Sequence, residues 1–268
     1  MNGMLRSVLV VGVVIGLAMG GHAAAADIAH GEQVYAANCV ACHGANGRLD
    51  PGNPVVQALG VTPADFSDPL FNSREPAADW HMVIEHGGYA MGLSEKMPAQ
   101  AEVLDDTEIE NVTAYLKSVV DTRGYPPGEM NLMLPIRTKK AYPEDEVVYV
   151  GRYTDQDGEN AYKQVLEIEK RIGKAGQGIL ELVHESEGSV SELAEVEIGY
   201  KQALSHSTTH ILSAAAVWAI PVEAEGDGEL QTYLAYGKEL SPSWIFQSSL
   251  RLKFPFEGAS DGEAELAA

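Results

Sequence analysis

The chain has 268 residues, of which 39 are acidic and 18 are basic, and its formal net charge is −21. Such an acidic surface argues against nucleic acid as a partner, because phosphate binding needs clustered lysine and arginine. The length is sufficient for two domains, each with its own hydrophobic core.

The first 26 residues have the features of a secretory signal peptide. Arg6 supplies a positive charge, an apolar run extends from Val8 to Met19, and Ala23 to Ala26 are small residues suited to cleavage. The apolar run is shorter than the roughly 20 residues that a transmembrane helix needs. We therefore predict export across the inner membrane of a Gram-negative bacterium, with a mature chain that starts near Asp27. A retained N-terminal anchor is the alternative.

Residues 27–122 are predicted to form an all-α domain. Good helix formers occupy residues 31–40, and Asp105 and Glu108 are spaced as a capping box at the start of a later helix. That later helix has apolar residues at helical spacing: Ile109, Val112, Leu116 and Val119. Glycine and proline are frequent between the two helices, which indicates loops, with one short helix over residues 77–86.

The pattern changes beyond residue 122. Residues 123–144, which begin Arg-Gly-Tyr-Pro-Pro-Gly, are predicted to be a linker. Residues 145–268 alternate apolar and polar side chains with a period of two, which predicts an antiparallel all-β domain. The segments with this pattern are 162–172, 179–184, 194–204, 209–220, 230–236 and 244–256, and residues 261–268 resemble the start of another strand. The predicted fold class is therefore α+β multidomain, with the β part an incomplete barrel, an open sheet or a sandwich.

The sequence Cys39-Val40-Ala41-Cys42-His43 carries the chemistry. Its C-x-x-C-H spacing, with the only two cysteines of the chain, is that of covalent haem attachment. On a helical turn the two thiols reach the two haem vinyl groups and form thioethers, and the adjacent imidazole reaches the iron. A disulfide would close only a tiny loop, and zinc would need a second pair of ligands. We predict one covalent haem c, with His43 as an iron ligand.

A methionine is predicted as the other axial ligand of the iron. Thioether sulfur opposite histidine raises the reduction potential, as electron-carrying cytochromes require. Met97 and Met91 both lie in a glycine-rich loop before the last helix, and Pro98 stiffens the loop directly after Met97. We therefore favour Met97 over Met91. His81 and His86 leave bis-histidine ligation as an alternative.

Residues 31–120 resemble a class I cytochrome c. Three segments match the family's first helix with its haem site, its axial-methionine loop and its C-terminal helix: 31–44, 86–99 and 105–119. The resemblance implies that Met97 stands at the ligand position and that Tyr115 packs across the first helix near Gly31 and Tyr35. It also implies that the second nitrogen of the haem-ligating histidine donates to a backbone carbonyl, for which Pro54 is the candidate.

Residues 145–268 resemble strands of bacterial outer-membrane β-barrels, including barrels fused behind a cytochrome domain. Three features support this: the two-residue period, strand lengths near ten residues, and aromatic residues near strand ends. The segment departs from that pattern because we count six or seven strands, whereas a single-chain bacterial barrel has at least eight. A truncated barrel and a small periplasmic sheet or sandwich both stay open.

These features together favour an electron carrier over an enzyme. It would work in the periplasm or at the outer membrane with redox proteins as partners, and a basic partner would suit the acidic surface. Two alternatives stay open: an outer-membrane haem oxidase that takes electrons from an external donor, and a haem-based ligand sensor with an open sixth site. A di-haem peroxidase would need a second C-x-x-C-H sequence, which the chain lacks.

Overall fold

The computed structural model describes residues 25–133, 138–156, 159–187, 190–222, 228–241, 243–256 and 263–267. The signal peptide predicted over residues 1–26 lies outside this part of the chain, apart from its last two residues. A helical region comes first and an antiparallel sheet follows it. The predicted fold class is thus confirmed.

The helical region contains six α-helices and, with the segment that follows it, three short 3-10 helices among the described residues. The α-helices are α1 Ile28–Asn38, α2 Val40–His43, α3 Pro54–Leu59, α4 Pro69–Arg74, α5 Ala77–His86 and α6 Asp106–Ser118. The 3-10 helices span Ala45–Gly47, Tyr89–Met91 and Gly128–Met130. No helix in the described ranges combines the length and the hydropathy needed to cross a membrane.

Helices α1 and α6 cross at close range and form the centre of the helical core. Gly31 makes the approach possible, since a Cβ atom there would lie 2.0 Å from the Asn111 carbonyl oxygen. The rings of Tyr35 and Tyr115 meet across the same crossing, with their centroids 5.3 Å apart. The predicted position of Tyr115 is therefore confirmed. The buried members of this core are Val34, Tyr35, Phe66, Trp80, Ile84, Leu104, Ile109, Val112, Tyr115 and Leu116.

Two short helices lie where the sequence indicated only loops. Helix α3 begins with Pro54 after the Asn53 cap, and α4 begins with Pro69 after the Asp68 cap. In each case the cap side chain accepts a hydrogen bond from a backbone N–H in the first turn, and proline fits the first helical position because it needs no N–H donor there. The short helix predicted over residues 77–86 and the capping box of α6 are both confirmed.

Among the residues that the structure describes, the sheet has eight strands in the order β1 to β8, and each strand is antiparallel to its neighbours. The strands are β1 Glu146–Gln156, β2 Glu159–Ile172, β3 Gly176–Glu187, β4 Val190–His206, β5 His210–Pro221, β6 Glu229–Ser241, β7 Trp244–Pro255 and β8 Glu263–Ala267. The count of six or seven from the sequence was therefore too low. Strand β1 was missed because residues 147–150 are four consecutive apolar residues and so hide the two-residue period.

The two faces of the sheet differ sharply in chemistry. One row of cross-strand partners, one from each of β1 to β7, is wholly apolar: Val147, Ile168, Leu180, Ile198, Trp218, Leu230 and Phe254. The next row lies one residue along each strand and therefore on the opposite face. Four of its seven members are glutamates, and the row is Val148, Glu167, Glu181, Glu197, Ala219, Glu229 and Pro255. We call the first the outer face and the second the inner face.

We call residues 128–133 and 138–145 the strap. Most of them belong to the segment predicted as a linker, and they pack against the inner face of the sheet. Met130, Leu132, Ala141 and Tyr142 share one buried cluster with sheet residues such as Ile211. The backbone of the strap is also held by side chains of the sheet. The Glu144 N–H donates a hydrogen bond of 2.8 Å to Gln177 Oε1, and the Lys139 N–H donates one of 3.2 Å to Ser249 Oγ. The Ser213 hydroxyl donates a hydrogen bond of 2.5 Å to the Ala141 carbonyl.

The strap also contacts the helical region. Glu129 Oε1 accepts a hydrogen bond of 3.0 Å from the Ala77 N–H at the first residue of α5. Pro76, the N-cap residue of α5, makes no side-chain hydrogen bond to the first turn. Glu129 therefore accepts from a backbone N–H that has no partner within the helix. The described residues of the strap therefore contact both the helical region and the sheet.

Candidate functional site

Cys39, Cys42 and His43 lie together on one helical turn. Cys39 is the C-cap of helix α1, and its carbonyl accepts hydrogen bonds from the N–H groups of Cys42 at 3.2 Å and His43 at 3.0 Å. Both thiols are free and half-exposed. The turn therefore presents two thiols and an imidazole from adjacent positions, as the spacing predicts.

The Cys39 thiol is less acidic than that of an ordinary cysteine. Burial, and secondarily the neighbouring Cys42, raises the pKa of Cys39 to about 11. The burial that raises this pKa comes from the helical core, against which the Cys39 side chain packs.

His43 has a fixed orientation. Its Nδ1 atom lies 3.2 Å from the Ala64 carbonyl oxygen, which accepts the hydrogen bond, and its ring centroid is 5.0 Å from that of Phe66. The expectation that Pro54 supplies this carbonyl was wrong: Pro54 begins α3, and the chain returns to the imidazole only after Pro63. Burial lowers the pKa of His43, so the ring is neutral, and with Nδ1 as donor its Nε2 lone pair is available to a metal.

The Ala64 carbonyl is held by a turn that the sequence analysis did not single out. Asp65 Oδ1 accepts hydrogen bonds from the Ser67 N–H at 3.0 Å and the Ser67 hydroxyl at 2.7 Å. The next residue, Phe66, is buried against Trp80 with its ring centroid 4.9 Å away. The Asp-x-Ser spacing is typical of such turns and could have indicated this one.

Met97 and Met91 have different environments. Met97 is half-buried and packs against the helical core, and its carbonyl accepts a hydrogen bond of 2.9 Å from the Gly88 N–H. Gly88 has no room for a side chain, since a Cβ atom would lie 2.3 Å from the Ser94 carbonyl oxygen. Met91 lies in a 3-10 helix and is 40% exposed. The loop thus directs Met97 toward the core and Met91 toward solvent.

The two histidines of α5 are engaged with carboxylates. His81 Nε2 lies 3.1 Å from Asp106 Oδ1 and 3.8 Å from Glu85 Oε2, and His86 Nε2 lies 3.5 Å from the same Glu85 atom. These contacts are at the surface of α5 and α6, where solvent competes for both partners. The structure therefore gives no support to the bis-histidine alternative.

The donor atoms match the chemistry of haem c. Cys39 and Met97 both pack against the same helical core, and the imidazole of His43 keeps one nitrogen available beside it. Apolar side chains of α3 and of the residues before and after it line a groove: Leu49, Val56 and Val61. Two thiols for the porphyrin, an imidazole and a thioether for the iron are the groups that such a haem requires.

A second group of potential metal ligands lies where the strap meets the sheet. The carboxylates of Glu144, Glu146 and Glu169 approach within 4.8 Å of one another. Within the described ranges two of these three carboxylates already have partners, because Lys140 contacts Glu144 and Gln177 donates to Glu169. The group therefore fastens the strap to the sheet.

Comparisons with known proteins match the helical region. A family model described as cytochrome c oxidase, cbb3-type, subunit III matches residues 26–116. A cytochrome c6 from Picosynechococcus sp. is 38% identical over 101 residues, which cover 37% of this chain and 79% of that protein. A cytochrome c6 from Synechocystis sp. is 34% identical over 98 residues, which cover 37% of this chain and 70% of that protein. No solved structure matches the chain at a significant level.

Proposed function

Because this chain belongs to the c-type cytochromes, we propose that it is an exported electron carrier that holds its haem iron between His43 and Met97. The observation that carries the proposal is the packing of Cys39 and Met97 against one helical core, with His43 fixed beside it. With both axial positions taken by side chains, the iron would offer no vacancy to a substrate. Electron transfer would then be outer-sphere, with a redox protein as partner.

The chain carries one haem c, whose iron supplies a one-electron couple. Cys39 and Cys42 would fix the porphyrin by two thioethers, and the Ala64 carbonyl would hold the His43 ring at the correct angle for coordination. Met97 would complete the coordination and favour the reduced state, because a thioether is a softer ligand than a second imidazole. The apolar core behind these residues would limit the access of water.

A matched pair of substitutions tests the axial ligand. Met97→Ala is expected to remove the absorption band of methionine sulfur bound to ferric haem and to let the reduced protein bind carbon monoxide. Met91→Ala is the control, because it removes the same side chain from an exposed position of the same loop. The spectra of both variants, oxidised and then reduced under carbon monoxide, give the answer.

Two results would contradict the proposal. Ready binding of carbon monoxide by the reduced wild-type protein would indicate an open sixth site, as the ligand-sensor alternative requires. Loss of the pigment from the wild-type protein into acidified acetone would show that the haem is not attached through Cys39 and Cys42.

We further propose that the sheet positions this carrier at the outer membrane. Seven of its strands have 11 to 17 residues, and a tilted strand crosses a bilayer in about 9 to 11. The outer face carries the apolar row that includes Ile198 and Trp218, which are 54% and 51% exposed. An apolar outer face with an acidic inner face is the pattern expected of strands that face lipid on one side and water on the other.

Fractionation of cells that express the full-length gene product tests this location. We expect the haem-containing protein in the outer-membrane fraction, with release only by detergent. Recovery in the soluble periplasmic fraction without detergent would contradict the proposed location and leave the proposed electron transfer unaffected.

A further inference from the structure

Lys117 of α6 is a cation held inside the helical region. Its Nζ atom donates a hydrogen bond of 2.7 Å to the Asn72 carbonyl and a second one to the Glu75 carbonyl, where α4 ends. The same atom lies 4.1 Å from the centroid of the Trp80 ring. Free backbone carbonyls at a helix C-terminus and the face of an indole ring both attract a positive charge, so the ammonium has a built position.

A continuous series of rings connects this cation with His43. Trp80 meets Phe66 edge to face with centroids 4.9 Å apart, and Phe66 lies 5.0 Å from the His43 ring. The Phe71 ring stacks on the Trp80 ring, with their centroids 5.8 Å apart, and so adds a further ring beside this series. Aromatic rings therefore occupy the space between the ammonium and the imidazole. Electrostatic interactions through such material are screened less than through water.

We propose that Lys117 is a tuning residue that raises the reduction potential of the iron held by His43. Oxidation adds one positive charge to the iron, and a fixed cation nearby makes that charge more costly. The effect favours the reduced state. The inference rests on the proposed function, since it takes His43 as the iron ligand.

Glu129 of the strap opposes this effect. Glu129, Glu75 and Asp79 all interact favourably with the Lys117 charge. Glu129 also accepts the hydrogen bond from the Ala77 N–H, so its carboxylate has a defined position at the start of the helix that carries Trp80. A negative charge at this place should stabilise the oxidised iron. Lys117 and Glu129 should thus move the potential in opposite directions.

Potentiometric titration of the full-length haem-loaded protein tests the proposal with three variants. Lys117→Gln removes the charge but keeps an amide that can donate to the two carbonyls, and we expect its potential to fall. Glu129→Gln removes the negative charge but keeps an oxygen acceptor for Ala77, and we expect its potential to rise. Lys117→Arg keeps the charge, so its potential should stay closer to that of the wild type.

Lys238→Met serves as the control for the loss of one exposed lysine, because Lys238 lies on strand β6, outside the helical region. We expect its potential to match that of the wild type. A purely structural role of Lys117 would lower the melting temperature without opposite shifts in the two glutamine variants.

The outcomes separate this inference from the proposed function. Opposite shifts in Lys117→Gln and Glu129→Gln support it. An unchanged potential in a Lys117→Gln protein that keeps the methionine-ligation band would overturn it, and so would an equal fall in Lys117→Arg. Should Lys117→Gln fail to fold, the sign of the Glu129→Gln shift decides. Absence of the band from the wild-type protein would instead contradict the proposed function.

Discussion

The orientation of His43 depends on residues about twenty positions further along the chain. The Ala64 carbonyl that accepts from Nδ1 precedes Asp65, which accepts two hydrogen bonds from Ser67. The sequence predicts the attachment turn because two thiols and an imidazole at this spacing have few other uses. It does not predict the carbonyl, because that depends on the path of a loop interrupted by α3.

We expect the turn at Asp65 to make stability depend on pH. Burial alone would raise the pKa of Asp65, but hydrogen bonds from Ser67 outweigh it and lower the pKa below its ordinary value of 3.8. The ionised carboxylate therefore stabilises the fold above pH 3.8, and this contribution is lost as the pH falls through the lowered pKa. Asp65→Asn should reduce the free energy of unfolding by about 1 kcal/mol at pH 7.

Denaturant unfolding of the wild type and Asp65→Asn at pH 7 and at about pH 3 checks this prediction. The difference between the two proteins should shrink at the lower pH. A difference of the same size at both values would show that the charge of Asp65 is not the stabilising feature. Asp50→Asn is a suitable control, because Asp50 caps a comparable turn at Gly52 away from Ala64.

At the level of the elements, what the sequence predicts well are the long and strongly patterned segments. The capping box of α6 and the helix over residues 77–86 follow from local side-chain chemistry. Helices α3 and α4 were missed because each has only six residues, too few for a periodic apolar face. Their asparagine or aspartate followed by proline was the available signal.

The crossing of α1 and α6 gives a prediction for Gly31. Gly31→Ala should lower the free energy of unfolding by about 1 to 3 kcal/mol, because the added methyl group would meet the Asn111 backbone at 2.0 Å. This loss should exceed the gain of up to about 1 kcal/mol that alanine brings to a helix interior. Denaturant unfolding of the haem-loaded protein, followed by absorbance, measures the difference.

The exposed position Ala36 on the same helix provides the comparison. Ala36→Gly should cost no more than about 1 kcal/mol, since only helix propensity changes there. An unchanged or higher stability of Gly31→Ala would show that the two helices can separate without cost, and that the close crossing is not required.

For the whole molecule, the sequence indicates a helical region and a strand region, but not how they join. The alternation along each strand predicts two unlike faces, and the register aligns those faces across seven strands. The strap could not be predicted, because residues such as Met130 and Tyr142 find their buried partners only once the sheet has formed.

A pair of arginine substitutions on strand β6 tests the difference between the faces. Leu234→Arg places a charge on the outer face, where lipid contact would make it cost about 2 to 4 kcal/mol near the middle of a bilayer. Gln231→Arg places the same charge on the inner face, where Gln231 lies 3.5 Å from a Glu197 oxygen. We expect only Leu234→Arg to reduce the recovery of the protein in reconstituted outer-membrane lipid vesicles.

The matched positions make the result decisive. Recovery of both variants at the wild-type level would mean that neither face of the sheet meets lipid. An equal reduction of the recovery of both variants would point to a general defect in folding.

The anchoring of the strap at both of its ends has a consequence for how such a carrier can work. A cytochrome on a loose tether can swing between a donor and an acceptor, and the reach of the tether sets its range. Here the Glu129 carboxylate accepts a hydrogen bond at the start of α5, and the Glu144 N–H donates one to the sheet, so we expect the strap to restrict the motion of the redox centre. Its redox partners would have to diffuse to it, and the rate of electron transfer would be limited by their association and dissociation.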